Sequence, residues 1–222
     1  MKRWIAMMLA LLLPSLFAGA RGEGTALSRD PAAIGALAAS VVRLEVYDAG
    51  GDRIGTGSGF AAFDPAVLVT ARHVLVNMDH LIATRDDGTT FRIDRALDAN
   101  EDADVAILAL PEDAELTPLP VSTGEPLRGE AVTAIGSQFG LVNLVALGNV
   151  CGLWRTDTVD WILFTAPVSA GCSGGPLIND RGEVIGVITG TYDKGQNLNL
   201  AAPTRAALEL ADTTTIEGGH SK

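Results

Sequence analysis

Gly171-Cys172-Ser173-Gly174-Gly175-Pro176-Leu177 places one serine on a turn crowded with glycines, at the head of a short apolar run. Glycines beside a serine let the backbone turn sharply, so that successive N–H groups can face one point in space. A serine hydroxyl is a weak nucleophile until a neutral imidazole accepts its proton. The imidazole in turn needs a carboxylate to fix its tautomer and balance its charge. A serine so placed calls for one histidine and one acid elsewhere in the chain.

Two upstream segments supply them. Leu68-Val69-Thr70-Ala71-Arg72-His73 is a strand pattern that ends on a histidine, and Asp102-Ala103-Asp104-Val105-Ala106-Ile107-Leu108 is an acid heading a strongly apolar strand. Taken singly, each has an ordinary reading. His73 could be a solvated turn residue, Asp104 a turn cap whose role Asp102 could equally claim, and Gly174-Gly175 a tight turn. In conjunction, in the order His, Asp, Ser, they fit nucleophile, base and orienting acid.

The rest of the chain is a scaffold of short strands. Val42, Leu44 and Val46 alternate with Arg43 and Glu45, the period of a half-buried strand. Strand patterns follow at 57–63, 67–70, 81–84, 91–97 and 104–110, then at 131–135, 142–150, 161–165, 176–178, 184–189 and 198–201, parted by Gly, Asp and Asn turns. Asn179-Asp180-Arg181-Gly182 has the composition of a hairpin turn. Pro118, Pro120 and Pro126 among acids exclude a central strand over about 113–130, which becomes a linker. The expectation is an all-β chain with a first barrel over about 41–112 and a second over about 131–203. A lead with a short helix, capped by Asp30 with Pro31 at its first position, occupies 21–40. A closing helix and polar tail occupy 204–222.

Residues 1–20 carry Lys2 and Arg3, an apolar run from Trp4 to Phe17 and the small residues Ala18-Gly19-Ala20, the anatomy of a cleavable signal peptide. Pro14 interrupts the run, which is shorter than the roughly 20 residues of a spanning helix. The mature chain is thus expected to begin at Arg21 as an exported protein, periplasmic or secreted, without a stable membrane anchor. The whole chain has 16 basic against 27 acidic residues, a net charge of −11, and loss of Lys2 and Arg3 takes it to −13. Such a surface repels nucleic acid and anionic lipid.

Cys151 and Cys172 are the two cysteines. An oxidising compartment makes a disulfide between them one reading, which would stabilise by roughly 3 kcal/mol, and two free thiols the other. Two cysteines and three scattered histidines lack zinc-ligand spacing. Neither a metal nor a cofactor is expected.

Over about residues 40–208 the chain resembles the trypsin-like peptidases, and among them the bacterial Deg/HtrA protease domains. The resemblance is carried by Gly57-Ser58-Gly59-Phe60, Thr70-Ala71-Arg72-His73, Asp104-Val105-Ala106-Ile107 and Gly171-Cys172-Ser173-Gly174-Gly175-Pro176-Leu177. It implies two antiparallel six-stranded Greek-key β-barrels of the chymotrypsin-like fold. It implies His73 as general base, Asp104 as its orienting carboxylate, Ser173 as nucleophile, and the N–H groups of Gly171 and Ser173 as the oxyanion hole. It further implies a polypeptide substrate, unfolded protein among the options, laid along Val187, Thr189, Gly190 and Thr191 and opposite Leu198 and Leu200. Pro167 falls at the pocket floor, where no acid waits for Lys or Arg, so a small or medium apolar side chain is the expected preference. A monomer is expected.

The departures from the family pattern also matter. Cys172 stands where Deg-type enzymes usually carry Asn and digestive ones Asp, which removes activation by a freshly cut N-terminus pairing with that aspartate. A PDZ domain, common in Deg-type proteins, is not expected here. Cys172 as nucleophile does not fit the glycine frame, which centres on Ser173. The Gly-x-Ser-x-Gly elbow of α/β-hydrolases needs Ser, acid, His in that order, whereas only His220 follows Ser173. Gly55, Gly57 and Gly59 precede no helix, so they are close-approach glycines in a strand and not a dinucleotide loop. The alternatives to a peptidase are a catalytically silent member of the fold that binds a partner, and an esterase-like or self-processing role.

Overall fold

The computed structural model of the protein describes residues 30–192 and 197–218, with the side chains of 215–218 outside that description. The signal peptide expected at 1–20 and the lead expected at 21–29 lie outside the described residues. Helix α1 (Pro31–Ala38) begins as its sequence dictates. The Asp30 carboxylate accepts from Ala32 N–H at 3.0 Å, and Pro31 takes a position whose N–H would have no intrahelical partner.

Seven strands follow: β1 (Val41–Tyr47), β2 (Arg53–Ala61), β3 (Val67–Ala71), β4 (His80–Thr84), β5 (Thr90–Ile93), β6 (Ala96–Asn100) and β7 (Val105–Ala109). They form one antiparallel sheet in the order β5-β4-β1-β2-β3-β7-β6. The single strand expected over 91–97 divides in two at Asp94-Arg95. β5 pairs with β4 at one edge of the sheet and β6 with β7 at the other. Two residues of chain thus link opposite edges, so the sheet curls until its rims meet without closing by a ladder, a half-barrel where a six-stranded barrel was expected. Val42, Leu44 and Val46 point inward to Leu68, Leu81, Ile93 and Leu108, as their alternation requires.

The second lobe comprises β8 (Ala131–Gly136), β9 (Leu144–Arg155), β10 (Asp160–Phe164), β11 (Pro176–Asn179), β12 (Val184–Thr191) and β13 (Asn199–Pro203), closed as a barrel in the order β10-β13-β12-β11-β8-β9. Its interior is filled by Ile162, Phe164, Leu177, Ile188 and Ala201. Gly148 lets β9 pass the turn after β10, since a Cβ there would lie 2.2 Å from Ala166 N.

The linker is stitched to each lobe in turn. Leu119 N–H donates to Ala61 O at 2.9 Å, then Ser122 N–H donates to Val184 O at 2.9 Å. Between the lobes a third apolar cluster joins Val69, Val105 and Ile107 of the first to Ile135, Ile178 and Val187 of the second. Helix α2 (Arg205–Gly218) leaves the second barrel but packs on β6 and β7 of the first, adding Ala206, Ala207 and Leu210 to that cluster. It runs on to Gly218, taking in residues expected to form a polar tail. Thr213 and Thr214 are accommodated because their hydroxyls donate to Glu209 O at 2.7 Å and Leu210 O at 2.9 Å, the i−4 carbonyls of the helix.

Candidate active site

β3 ends at Ala71 and the chain tightens at once into a 3₁₀ turn, Arg72–Leu75, that carries His73. From the adjoining β7, Asp104 stands just before the first strand residue with a positive φ of 54°, a conformation Asp tolerates better than most side chains. That twist turns its carboxylate back onto the 3₁₀ turn. Oδ1 accepts from His73 N–H at 2.8 Å, and Oδ2 meets His73 Nδ1 at 2.6 Å. Arg72 N–H holds the Asp104 carbonyl at 3.0 Å. Asp102, the rival acid, is exposed. The short contact to Asp104 keeps the Nδ1 proton and leaves Nε2 as the acceptor.

Ser173 lies on the turn before β11. Gly171 and Gly174 have φ of 99° and 86°, and the Cβ of any other residue would collide with backbone. It would sit 2.2 Å from Ser137 O at position 171 and 2.1 Å from Ser58 O at position 174. Gly175 is needed for approach alone, since its Cβ would meet Ile135 O at 2.2 Å. The glycine frame is therefore set by contact with two strands, β2 and β8, that the turn must press against.

Ala170 O accepts from Phe139 N–H at 3.0 Å, Gly171 O from the Ser58 hydroxyl at 2.7 Å, and Ser173 O from Ser58 N–H at 2.8 Å. In a trans peptide the N–H points opposite to the C=O. The Gly171 N–H thus points away from Phe139, and among the described residues neither it nor Ser173 N–H donates to a protein acceptor. The Ser173 hydroxyl rests on Thr189 O at 3.4 Å rather than on His73. Gly57 lets the two halves of the site meet, because a Cβ there would lie 2.7 Å from Val74 of the histidine turn and 3.2 Å from Ser173 O. Gly59 is likewise close-packed, 2.9 Å from Leu68, whereas Gly55 has ordinary contacts only.

Cys151 and Cys172 are both free thiols, the second of the two readings open for them. Cys172 is buried, and burial pushes its thiol above the ordinary value, so it is neutral at pH 7. Val187 is also corrected as a substrate contact. Its side chain is fully buried in the core between the lobes, and its backbone is paired to Pro176 on one side and Ala202 on the other. Past Ile188 the strand bulges at Thr189, and Thr189, Gly190 and Thr191 keep β13 on one side only. Leu198 and Leu200 are half-buried beside them, with Thr189 Oγ1 donating to Leu200 O at 3.3 Å. Pro167 is exposed, and the residue fixed beneath it is Ala166, whose carbonyl accepts from Asn199 Nδ2 at 2.7 Å.

The role of Ser58 escaped the sequence reading, hidden inside Gly57-Ser58-Gly59, where the glycines drew the explanation. Thr189 was expected as a substrate contact, and nothing in its sequence surroundings marks its carbonyl as the rest for Ser173.

The profile of the trypsin-like peptidase domain matches residues 57–187. Serine protease HTRA1 of Xenopus tropicalis is 38% identical over 144 residues, 60% of this chain and 31% of the relative. The putative serine protease HhoA of Synechocystis is 31% identical over 174 residues, covering 74% and 44% respectively. The probable periplasmic serine endoprotease DegP-like of Halomonas elongata is 31% identical over 179 residues, covering 77% and 37%. The chain thus spans less than half the length of these relatives. In fold it is similar to the serine endoprotease of Yersinia pestis, with a TM-score of 0.72 at 23% identity over 83% of this chain and 67% of that one. It is also similar to the HtrA-type protease AlgW with tripeptide, with a TM-score of 0.74 at 24% identity over 83% and 64%. With the profile match running from the Gly57 strand through Ser173 to β12, the chain belongs to the trypsin-like peptidase family.

Proposed function

We propose that this chain is a serine endopeptidase acting through an acyl-enzyme, with His73 as base, Asp104 as its orienting acid and Ser173 as nucleophile. The observation that carries the reading is the two-point contact of Asp104 with His73, which fixes the imidazole with Nε2 as acceptor. The Ser173 hydroxyl leaves Thr189 O, gives its proton to His73 Nε2 and bonds to the substrate carbonyl carbon. The resulting oxyanion is met by Gly171 N–H and Ser173 N–H. Collapse breaks the C–N bond, the amine leaves with the proton from His73, and water repeats the sequence to release the acid.

The substrate is an extended polypeptide added to the open edge at Thr189–Thr191, main chain against main chain. A small or medium apolar residue before the cut suits a pocket edged by Leu198, Leu200 and Ala166, where the sequence offers no acid for a basic side chain. The apolar leader and the relative from Halomonas elongata described as periplasmic support export to the periplasm.

A partner-binding, silent protein is the second reading, favoured by the rest position of the Ser173 hydroxyl on Thr189 O. A fluorophosphonate probe separates the two. Labelling on Ser173 that is lost in Ser173→Ala supports the peptidase. Folded protein that takes no label supports the silent binder.

A further inference from the structure

Ser58 is fully buried in β2 of the first lobe, yet three of its polar atoms are spent on or beside the nucleophile turn of the second. Its hydroxyl donates to Gly171 O at 2.7 Å and accepts from Ser137 N–H at 2.9 Å. Its N–H donates to Ser173 O at 2.8 Å, and its own carbonyl, held by Thr70 Oγ1 at 2.7 Å, occupies the space a Cβ of Gly174 would need. One residue thus holds the carbonyls on both sides of Cys172. The peptide between those two fixed points carries the Ser173 N–H.

Cys172 cannot do this work itself. Its thiol is neutral, packed within reach of Gly136, and a thiol is a weak donor. Within the turn Cys172 N–H donates to Ser169 O at 3.0 Å and Gly175 N–H to Cys172 O at 2.9 Å, but two positive-φ glycines leave its backbone pliant. The hydroxyl of Ser58 is the side-chain donor that ties Gly171 O to the first lobe.

We propose that Ser58 is a positioning residue for the oxyanion hole, its hydroxyl locking the 171–173 backbone so that both N–H groups face the reacting carbonyl. The proposal rests on the reading of Ser173 as nucleophile for its kinetic consequence, but not for its structural one. It also gives the first lobe a second task beyond presenting His73 and Asp104, because closure of the lobes on each other is what shapes the hole.

The test compares Ser58→Ala with Thr204→Val. The latter removes an equally buried hydroxyl, bonded to Val184 O at 3.2 Å in the second barrel away from the turn, and controls for general loss of stability. In Ser58→Ala, kcat on a peptide substrate should fall roughly 10- to 100-fold with KM nearly unchanged, less than deleting an oxyanion donor outright. Affinity for a peptidyl trifluoromethyl ketone, whose adduct needs the hole, should fall in step with kcat. Thr204→Val should retain both. Independently of activity, the ¹⁵N order parameters of Gly171 and Ser173 should drop from about 0.85 to below about 0.6 in Ser58→Ala only. A kcat equal to that of Thr204→Val in an active enzyme overturns the proposal. If the wild type turns over no peptide, the peptidase reading fails by itself, and the order parameters decide: a loosened turn upholds the positioning role, an unchanged turn overturns it.

Discussion

His73 gives both of its neighbouring donors to Asp104, the main-chain N–H to Oδ1 at 2.8 Å and the ring Nδ1–H to Oδ2 at 2.6 Å. A carboxylate can accept twice, whereas a carboxamide offers one acceptor and one NH₂. In Asp104→Asn the backbone N–H has no alternative and keeps the oxygen, so the NH₂ faces Nδ1. The ring must then carry its proton on Nε2, where it can no longer accept from Ser173. Because Asn tolerates the positive φ of position 104, folding should be little changed. We expect kcat to fall about ten-thousand-fold with an unchanged thermal midpoint. A loss of less than tenfold would mean that Asp104 does not set the tautomer.

The glycines divide into those the fold requires and those it tolerates, and alanine substitution should sort them. Gly174→Ala combines a φ of 86° with a Cβ 2.1 Å from Ser58 O and 2.2 Å from Thr70 Oγ1. A cost of at least about 3 kcal/mol is expected, read as a lowered urea midpoint or loss of soluble protein. Gly35 lies within α1 with nothing within 4 Å of its added Cβ. Gly35→Ala should gain about 0.5–1 kcal/mol, since alanine loses less backbone entropy on entering the helix. Equal effects at the two positions would contradict this account of the turn.

Much of this was legible because local patterns and contacts agreed. The alternation at Val42, Leu44 and Val46 survives as the interior of the half-barrel, and Asp30-Pro31 begins a helix where its capping chemistry says it must. The strand over 91–97 was misjudged because periodicity cannot register a change of partner. Thr90–Ile93 and Ala96–Asn100 look continuous in sequence but bond to opposite edges of a curled sheet. Val187 was expected to meet substrate on the strength of the family resemblance, although burial between two lobes is a property of the tertiary packing. Ser58 is the sharper case, since a serine between two glycines gives no sign of the carbonyls, 113 and 115 positions on, that it will hold.

The two thiols should differ in reactivity. Cys172 is buried and Cys151 partly exposed, and burial raises both above their ordinary values, so neither is an activated nucleophile. Iodoacetamide at pH 8 on native protein should modify Cys151 first and leave Cys172 until the fold is opened by denaturant. Mass analysis without reductant should count two alkylated cysteines after denaturation. Finding none would restore the disulfide, and faster modification of Cys172 would mean that the turn around Ser173 opens in solution.

The hairpin between β11 and β12 supplies a pH-dependent term of predictable sign. Buried Asn179 organises the turn, its Oδ1 accepting from Arg181 N–H and Glu183 N–H, while its Nδ2 donates to Glu183 Oε2 at 3.0 Å and Arg181 Nε adds a second bond at 2.8 Å. The Asn179 hydrogen bond first, then the Arg181 guanidinium, hold the Glu183 carboxyl below its ordinary value of 4.5. A depressed folded value means stabilisation that is complete above the ordinary value and is lost as pH falls through 4.5 toward the folded one. Because the side chain is a third exposed, screening limits the term to about 1 kcal/mol or less. Urea unfolding of the wild type and Glu183→Gln at pH 7 and at pH 3.5 isolates it. The variant should be less stable at pH 7 and converge on the wild type at pH 3.5. A gap that stays constant between the two values would show that Glu183 contributes through packing and not through its charge.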